Sequence, residues 1–589
     1  MKLSFLSFLA GTAVAGHLGS YRVFEQVSEA PEPWTPKTGT EIDNDQSLKL
    51  WIHLKNRNIG SFHQKVFEIS TPDHPDYGRH LSRVELRDML APSQKSYDMV
   101  AEWLEENGLS DKAKIENDWV IIEGTIGDAA KLLQTEYQMF ENKADGKVTA
   151  RTLAYSLPNA LHDHVDMVAP TIKFSTTSAM RSTIVKNYPA PAVVKSSPGN
   201  IHNGLDTVSC NSSITPDCLK ALYNFKDYRA TRRKGNQFLL AGFLEEYAQH
   251  DDLAQFISAY APNANGSDFS TILINNGSNL QDNVSGPQNH GEANLDIQYG
   301  LSLAYPTPTF YSSTGGRPPE TTPVEVDNEP YLQFLTYLLT LDTIPQTISI
   351  SYGDAEPTVP LSYANTVCNL FAQVAARGSS VMVSSGDDGS GSNCSVGNST
   401  KLAYGSEFPG SCPFVTAVGA TVQVAPEVAV DFSGGGFSNY FARPSYQDAA
   451  VNTWLTNYSD PAFIKYINTS GRAYPDVSAQ GVNFVTIEAG AVVPESGTSA
   501  SCPAFAAVIA LLNSDRIENG LAPFGLLNPW LYSKAASAKA LNDIVAGKST
   551  GCTSQIPGAG FAATVGWDPV TGLGTPDFKK LRLVSTGLS

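Results

Sequence analysis

Cysteine is scarce, at seven in 589 residues, too few to build a disulfide-held scaffold in a chain this long. Basic residues are also short, with Lys+Arg at 40 against Asp+Glu at 58 and a formal net charge of −18. Nucleic acids and anionic membranes both bind basic surfaces, so neither is an expected partner. Beyond the N-terminal segment no apolar run reaches the ~18 residues of a membrane-spanning helix, and no internal repeat is present. Histidine nearly vanishes from the last two thirds: only His250 and His290 lie between residues 206 and 589. That excludes a zinc peptidase of the HExxH type. Charged residues make up 17% and hydrophobic ones 42%, which excludes a disordered tail or coiled coil and leaves a globular chain of roughly two to four domains.

What is present begins with MKLSFLSFLAGTAVAG: one Lys, an apolar run from Leu3 to Leu9, then Ala13-Val14-Ala15 in the small-x-small pattern of a signal peptidase site. Residues 1–15 are expected to be a signal peptide and the protein to be secreted and extracellular. Eight Asn-x-Ser/Thr sequons (Asn211, Asn265, Asn276, Asn283, Asn393, Asn398, Asn457, Asn468) all lie after residue 205, the pattern of a glycoprotein. Residues 206–589 hold 33 acids and 19 bases, and a globule so rich in carboxylates suits acidic surroundings, where protonation relieves their repulsion.

Along the chain, residues 30–175 mix short apolar strands (Leu48 to Leu54, Trp119 to Glu123) with amphipathic helices such as Ser96 to Glu106, the composition of a small α+β unit. Residues 176–205 are rich in Ser, Thr, Pro and Lys without a period, as in a linker open to cleavage. From 206 to 589, strand-like runs (QFLLAGF, TISISYG, SVMVSSGD, PFVTAVGAT) alternate with helical ones (YLQFLTYLLTL, ANTVCNLFAQVAARG). This is the α/β pattern of a parallel sheet with crossover helices, whose function is expected at the carboxyl ends of its strands.

Three motifs carry chemistry. SGTSASCP at 496–503 runs into the apolar AFAAVIALL, placing Ser499 at the N-terminal end of a buried helix, where free N–H groups and the helix dipole favour developing negative charge. A plain Ser/Thr helix cap is the alternative. Glu292 and Asp296, four residues apart, share one helical face, either a solvated surface or a working acid pair. SSGDDG at 384–389 follows the strand SVMV and presents Asp387 on a sharp turn.

Taken together with STPDHPDYGRHLSRVEL, ITPDCLKALYNF, SYGD at 351–354, SGGGFS at 433–438, YPDVSA and GWDPVTGLGTP, these motifs make the chain resemble the sedolisins, serine-carboxyl peptidases with the subtilisin fold. Within them it is most similar to the secreted fungal tripeptidyl-peptidases. The resemblance implies an α/β, subtilisin-like parallel-sheet catalytic domain over 206–589. Before it would come an α+β, ferredoxin-like prodomain that chaperones and inhibits, joined by a linker cut on activation. It implies Ser499 as nucleophile, Glu292 as general base, Asp296 as its orienting partner and Asp387 as oxyanion donor. The expected activity is the acid-optimal release of tripeptides from free peptide N-termini by a self-processing, monomeric zymogen acting on peptides and proteins. An acid endopeptidase of the same family is the alternative, followed by a catalytically inactive peptide-binding homologue.

A carboxylate base fits acid independently of the family, because a histidine of pKa ~6.5 is already protonated there, whereas a carboxylate near ~4.3 still accepts a proton. His290, two residues before Glu292, is the rival base and implies a neutral to alkaline optimum. The resemblance also implies pairing of Cys394 with Cys552 and of Cys210 with Cys218, with Cys368, Cys412 and Cys502 unassigned. It implies one structural Ca²⁺ held by the carboxylates of Asp543 and Asp568 and the carbonyls of Ile544, Thr564 and Gly566. Those five oxygens, with water, meet the six to eight that calcium takes.

Overall fold

The computed structural model describes residues 18–143, 146, 148–174, 178–179, 206–231, 235–282, 290–315, 330–392, 394 and 401–587. The expected signal peptide, most of the linker and the sequons Asn283, Asn393 and Asn398 lie outside these residues. The chain divides into two compact units. One holds the residues up to Arg57 together with Leu90–Lys173; the other holds Asn58–Met89 and, with the exception of 319–322, everything from Phe174 onward.

The first unit is built on an antiparallel sheet in the order Ala113–Glu116, Trp119–Thr125, Ser47–Leu54, Val165–Ala169. Both strands read from the sequence are there. The helix Gln94–Glu106 starts at Ser93, whose hydroxyl accepts the Ser96 N–H, and buries Ser96, Val100, Trp103 and Leu104 at helical spacing. Met99 falls at the edge of that face and only packs against the core.

The second unit centres on a sheet in the order Ser270–Ile274, Thr309–Thr314, Phe238–Gly242, Thr347–Ile350, Ser380–Ser384, Thr416–Val422, Val428–Ala429. The strand Val477–Gln480 also pairs, in parallel, with Thr416–Val422. Every pairing is parallel except the last, to Val428–Ala429. Strands buried on both faces read as continuous apolar runs, which is why FLLAG and SVMVS stand out in the sequence. Two helices lie in the core. Gly291–Ala304 is buried at every position, and Thr498–Glu518 is buried from Thr498 to Arg516. They pack along one another, so neither shows an amphipathic stripe. Glu292 and Asp296 are therefore a core pair rather than a solvated face.

Cys210–Cys218 and Cys394–Cys552 are bonded, Cys368 pairs with Cys412, and Cys502 is free and buried.

Candidate active site

The strands Phe238–Gly242, Thr347–Ile350 and Ser380–Ser384 are neighbours in the sheet, and their carboxyl ends open together. The expected site residues gather there. Gly497, at φ 152°, turns the chain into the helix Thr498–Glu518, a conformation that suits a residue without Cβ. Ser499 is its second residue and fully buried. Pro503, four residues on, has no N–H to give to the Ser499 carbonyl.

Ser499 Oγ lies 3.2 Å from the carbonyl oxygen of Ser351, to which it donates. Ser351 follows the strand Thr347–Ile350 directly, and its own hydroxyl donates to Asp296 Oδ1 at 2.8 Å. One residue thus touches both the serine and Asp296. Glu292 and Asp296 occupy successive turns of the carboxylate helix, with 0% and 1% of their surface exposed.

Tyr311 reports how closely the acids cluster. Burial, followed by the charges of Glu246, Asp296 and Glu292, pushes its hydroxyl pKa well above the ordinary value. It stays neutral and donates to the Glu246 carbonyl at 2.7 Å. Gly242 makes room for this: a Cβ there would stand 1.8 Å from the Tyr311 hydroxyl.

Asp387 follows the strand Ser380–Ser384 and accepts at Oδ1 from the Thr498 N–H and the Thr498 hydroxyl, both at 2.8 Å. The same hydroxyl accepts from the Gly386 N–H at 3.2 Å. The aspartate turn is thereby tied to the residue before Ser499. The SGGGFS motif presses its backbone on this turn: Gly434 N–H donates to the Gly386 carbonyl at 2.7 Å, and a Cβ on Gly434 would stand 2.4 Å from the Ser385 carbonyl oxygen. YPDVSA is structural, its Asp476 pairing with Arg472 at 2.6 Å with both side chains fully buried.

His290 stands just before the helix. Its Nδ1 accepts the Tyr247 N–H at 3.2 Å and its Nε2 lies 3.0 Å from Asp282 Oδ1, so both ring nitrogens are engaged. The short strand Ser178–Ala179, from the end of the linker nearest the first unit in sequence, pairs antiparallel with Gly353 and Tyr352, next to Ser351.

The five residues read as calcium ligands form a separate group. Asp568 Oδ2 accepts the Thr564 N–H at 2.9 Å, and Asp543 Oδ2 accepts the Gly566 N–H at 3.0 Å. The stretch 564–566 therefore links both carboxylates, and Ile544 adjoins Asp543. Sequence reasoning assigned no role to Glu246, Ser351, Tyr311 or Thr498; only Ser351 and Thr498 had a sequence signal, as members of the SYGD and SGTSASCP motifs.

A buried serine at a helix start, an acid pair on the adjoining helix and an aspartate turn at the carboxyl edge of a parallel sheet define a subtilisin-like serine peptidase. Residues 37–174 match the Pro-kumamolisin activation domain and residues 332–529 the Subtilase family. The chain is 40% identical to the probable tripeptidyl-peptidase SED3 of Trichophyton verrucosum over 96% of each chain. It is 38% identical to tripeptidyl-peptidase SED2 of Arthroderma otae, over 99% of this chain and 100% of that one. Among solved structures, Pseudomonas sedolisin complexed with pseudo-iodotyrostatin aligns at 22% identity and a TM-score of 0.49, covering 64% of this chain and 99% of that chain. The chain belongs to the sedolisin family of serine peptidases and carries that family's activation domain.

Proposed function

We propose that the protein is a secreted, acid-active serine-carboxyl peptidase that releases tripeptides from free N-termini and matures by cutting its own linker. The observation that carries this reading is the Ser499–Ser351–Asp296 chain of hydrogen bonds, set against a helix whose first turn holds Glu292. Ser499 attacks the peptide carbonyl while Glu292 takes its proton and returns it to the leaving amine; water then releases the acyl-enzyme by the same steps. Asp296 holds Glu292 in place. Asp387 donates to the oxyanion and must be protonated to do so, since a carboxylate there would repel it. Both requirements favour acid.

Substrate binding is supported by the pairing of Ser178–Ala179 with Tyr352 and Gly353. An acyl-side peptide adding to that strand runs toward Ser351 and hence Ser499, the path a self-cleaved linker takes. The exopeptidase reading draws on the SED relatives, which are tripeptidyl-peptidases by name; an acid endopeptidase is the second reading, because the linker lies mid-chain. Residues 30–175 act as the inhibitory prodomain, 176–205 carries the activation cut, and 206–589 is the catalytic domain, working as a monomer. Secretion agrees with the N-terminal segment and with exposed sequon residues Asn265, Asn276 and Asn457. Asn468 instead gives its amide to the Ser438 carbonyl at 2.8 Å.

One structural Ca²⁺ fits the Asp543–Asp568 group. Asp568 is fully buried, and that burial pushes its carboxyl up to about 7 against four lowering hydrogen bonds; a cation offsets a desolvated charge of this kind. Asp543, Asp568 and the carbonyls of Ile544, Thr564 and Gly566 would hold it. The ion would cross-link the loop and take no part in catalysis, so chelation should lower the melting temperature.

The deciding measurement is mass spectrometry of products from one peptide with a free and with an acetylated N-terminus at pH 3–7. Tripeptides from the free form alone support the reading; internal cuts indifferent to acetylation replace it with the endopeptidase. Ser499→Ala should leave the pure precursor uncut, and Glu292→Gln should lower kcat/KM by ~100-fold or more, since an amide takes up no proton.

A further inference from the structure

Among the described residues, the carboxylate helix Gly291–Ala304 has no side-chain cap from the residues at its own start. His290 occupies the capping position and makes no side-chain cap bond, and Gly291 offers no side chain. The first-turn N–H groups are met from elsewhere: Glu246 Oε2 accepts the Glu292 N–H at 2.7 Å and the Ala293 N–H at 3.3 Å. Glu246 comes from the loop after the strand Phe238–Gly242, 46 residues away from Glu292. Leu244 and Glu245 in this loop both adopt φ 57°, a conformation that costs ~1–3 kcal/mol per residue and persists only where the surroundings enforce it. The Tyr311 hydroxyl donates to the Glu246 carbonyl at 2.7 Å.

From this geometry we propose that Glu246 is a positioning residue for catalysis: it caps the carboxylate helix from outside and keeps Glu292 a competent base. The inference rests on the peptidase reading above. An uncapped N-terminus would stabilise the Glu292 anion through the helix dipole and weaken it as a proton acceptor. With an ionised carboxylate seated on those N–H groups, the dipole is offset and a like charge faces Glu292, so its proton is held more tightly. Among the described residues, the ionisable groups around Glu246 include Glu292 and Asp296 on the helix, Tyr311 and Tyr352 on the strands, Glu245 and Tyr247 beside it in the loop, and the His290–Asp282 pair. Tyr311 and Tyr352 are held neutral by burial first and these acids second.

Glu246→Gln keeps an acceptor for the two N–H groups and removes only the charge. At pH 3 its melting temperature should stay near wild type, and the acid limb of its kcat/KM profile should move to lower pH by ~0.5–1 unit. Glu246→Ala removes the cap as well and should lower kcat ~10-fold or more with little change in KM, as expected when the base is misplaced. An acid limb of Glu246→Gln that superimposes on wild type, or a Glu246→Ala enzyme with wild-type kcat, would overturn the proposal. Wild type assayed alongside separates the two failures, because absence of peptidase activity in it removes the function itself. A second measurement needs no turnover. In a Ser499→Ala background, the melting-temperature difference made by Glu246→Gln should grow from pH 3 to pH 6; a pH-independent offset argues against the proposal.

Discussion

His53 in the first unit and His80 in the second are both sheltered from water, and they differ in what faces the ring. His53 lies between Asp118 and Asp166, each 3.3 Å from one of its nitrogens. Burial pushes its pKa down, but hydrogen bonds and charges from the two carboxylates outweigh burial and lift it to about 9. His80 belongs to the segment Asn58–Met89. Its Nε2 donates to the Pro523 carbonyl at 2.8 Å, and its Nδ1 is buried with no hydrogen-bond partner among the described residues. Gly378 and Gly525 flank the ring so closely that a Cβ on either would come within 2.8 Å of it. Burial, aided by the Arg516 charge and only partly opposed by the Pro523 carbonyl, holds the His80 pKa below its ordinary value. Burial alone thus leaves the protonation state of a histidine open; the partner decides it.

The two cases respond to acid in opposite ways. His53, with a raised pKa, contributes stability that is whole below 6.5 and fades as pH rises through 9. Its partner Asp118 is pulled up by burial and further down by His53, so its share is present above the ordinary 3.8 and is lost only in stronger acid. His80, with a lowered pKa, stabilises its segment above 6.5 and loses that contribution as pH falls toward the lowered value. His63, in the same segment and bonded to Asn369 at 2.8 Å, is also lowered by burial. Acidification to about pH 5 should therefore loosen Asn58–Met89 while leaving the first unit folded.

Three substitutions and one labelling experiment test this contrast. The largest effect is expected from Asp476→Ala, which strips the counter-charge from the fully buried Arg472: a loss of ~3–5 kcal/mol by chemical denaturation at pH 6. A loss under ~1 kcal/mol would mean that pairing does not govern buried charge here. Next, His53→Gln should cost ~2 kcal/mol below pH 6.5, with the deficit shrinking toward pH 9; a deficit that grows with pH reverses the assignment. His80→Gln keeps a donor for Pro523 and cannot titrate, so hydrogen exchange of residues 58–89 in a Ser499→Ala precursor should accelerate less between pH 7 and 5 than with His80 present. Equal acceleration in both would remove His80 as the acid-sensitive point. The smallest effect concerns Cys502, whose thiol is pushed well above its ordinary pKa by burial: a thiol reagent should find no reactive group in native protein and one after unfolding.

Short-range features were legible in the chain: the strands FLLAG and SVMVS, the turn at Asp387, the helix beginning at Thr498 and the eight-residue Cys210–Cys218 loop. Each depends on residues within a few positions of one another, where apolar runs, glycines and caps act directly on the backbone. The choice between a solvated acid pair and a buried one at Glu292 and Asp296 was different in kind. The local spacing is the same in both, and the difference comes from the buried helix Thr498–Glu518, some two hundred residues on. The Glu246 cap, the Ser351 bridge from Ser499 to Asp296, the Cys368–Cys412 bond and the opposite states of His53 and His80 are likewise long-range. Residue types and local order were set by sequence. Which carboxylates lost their water, and what charge or dipole replaced it, was decided only when the sheet brought distant segments together, because desolvation and Coulomb energy depend on distance in space rather than along the chain.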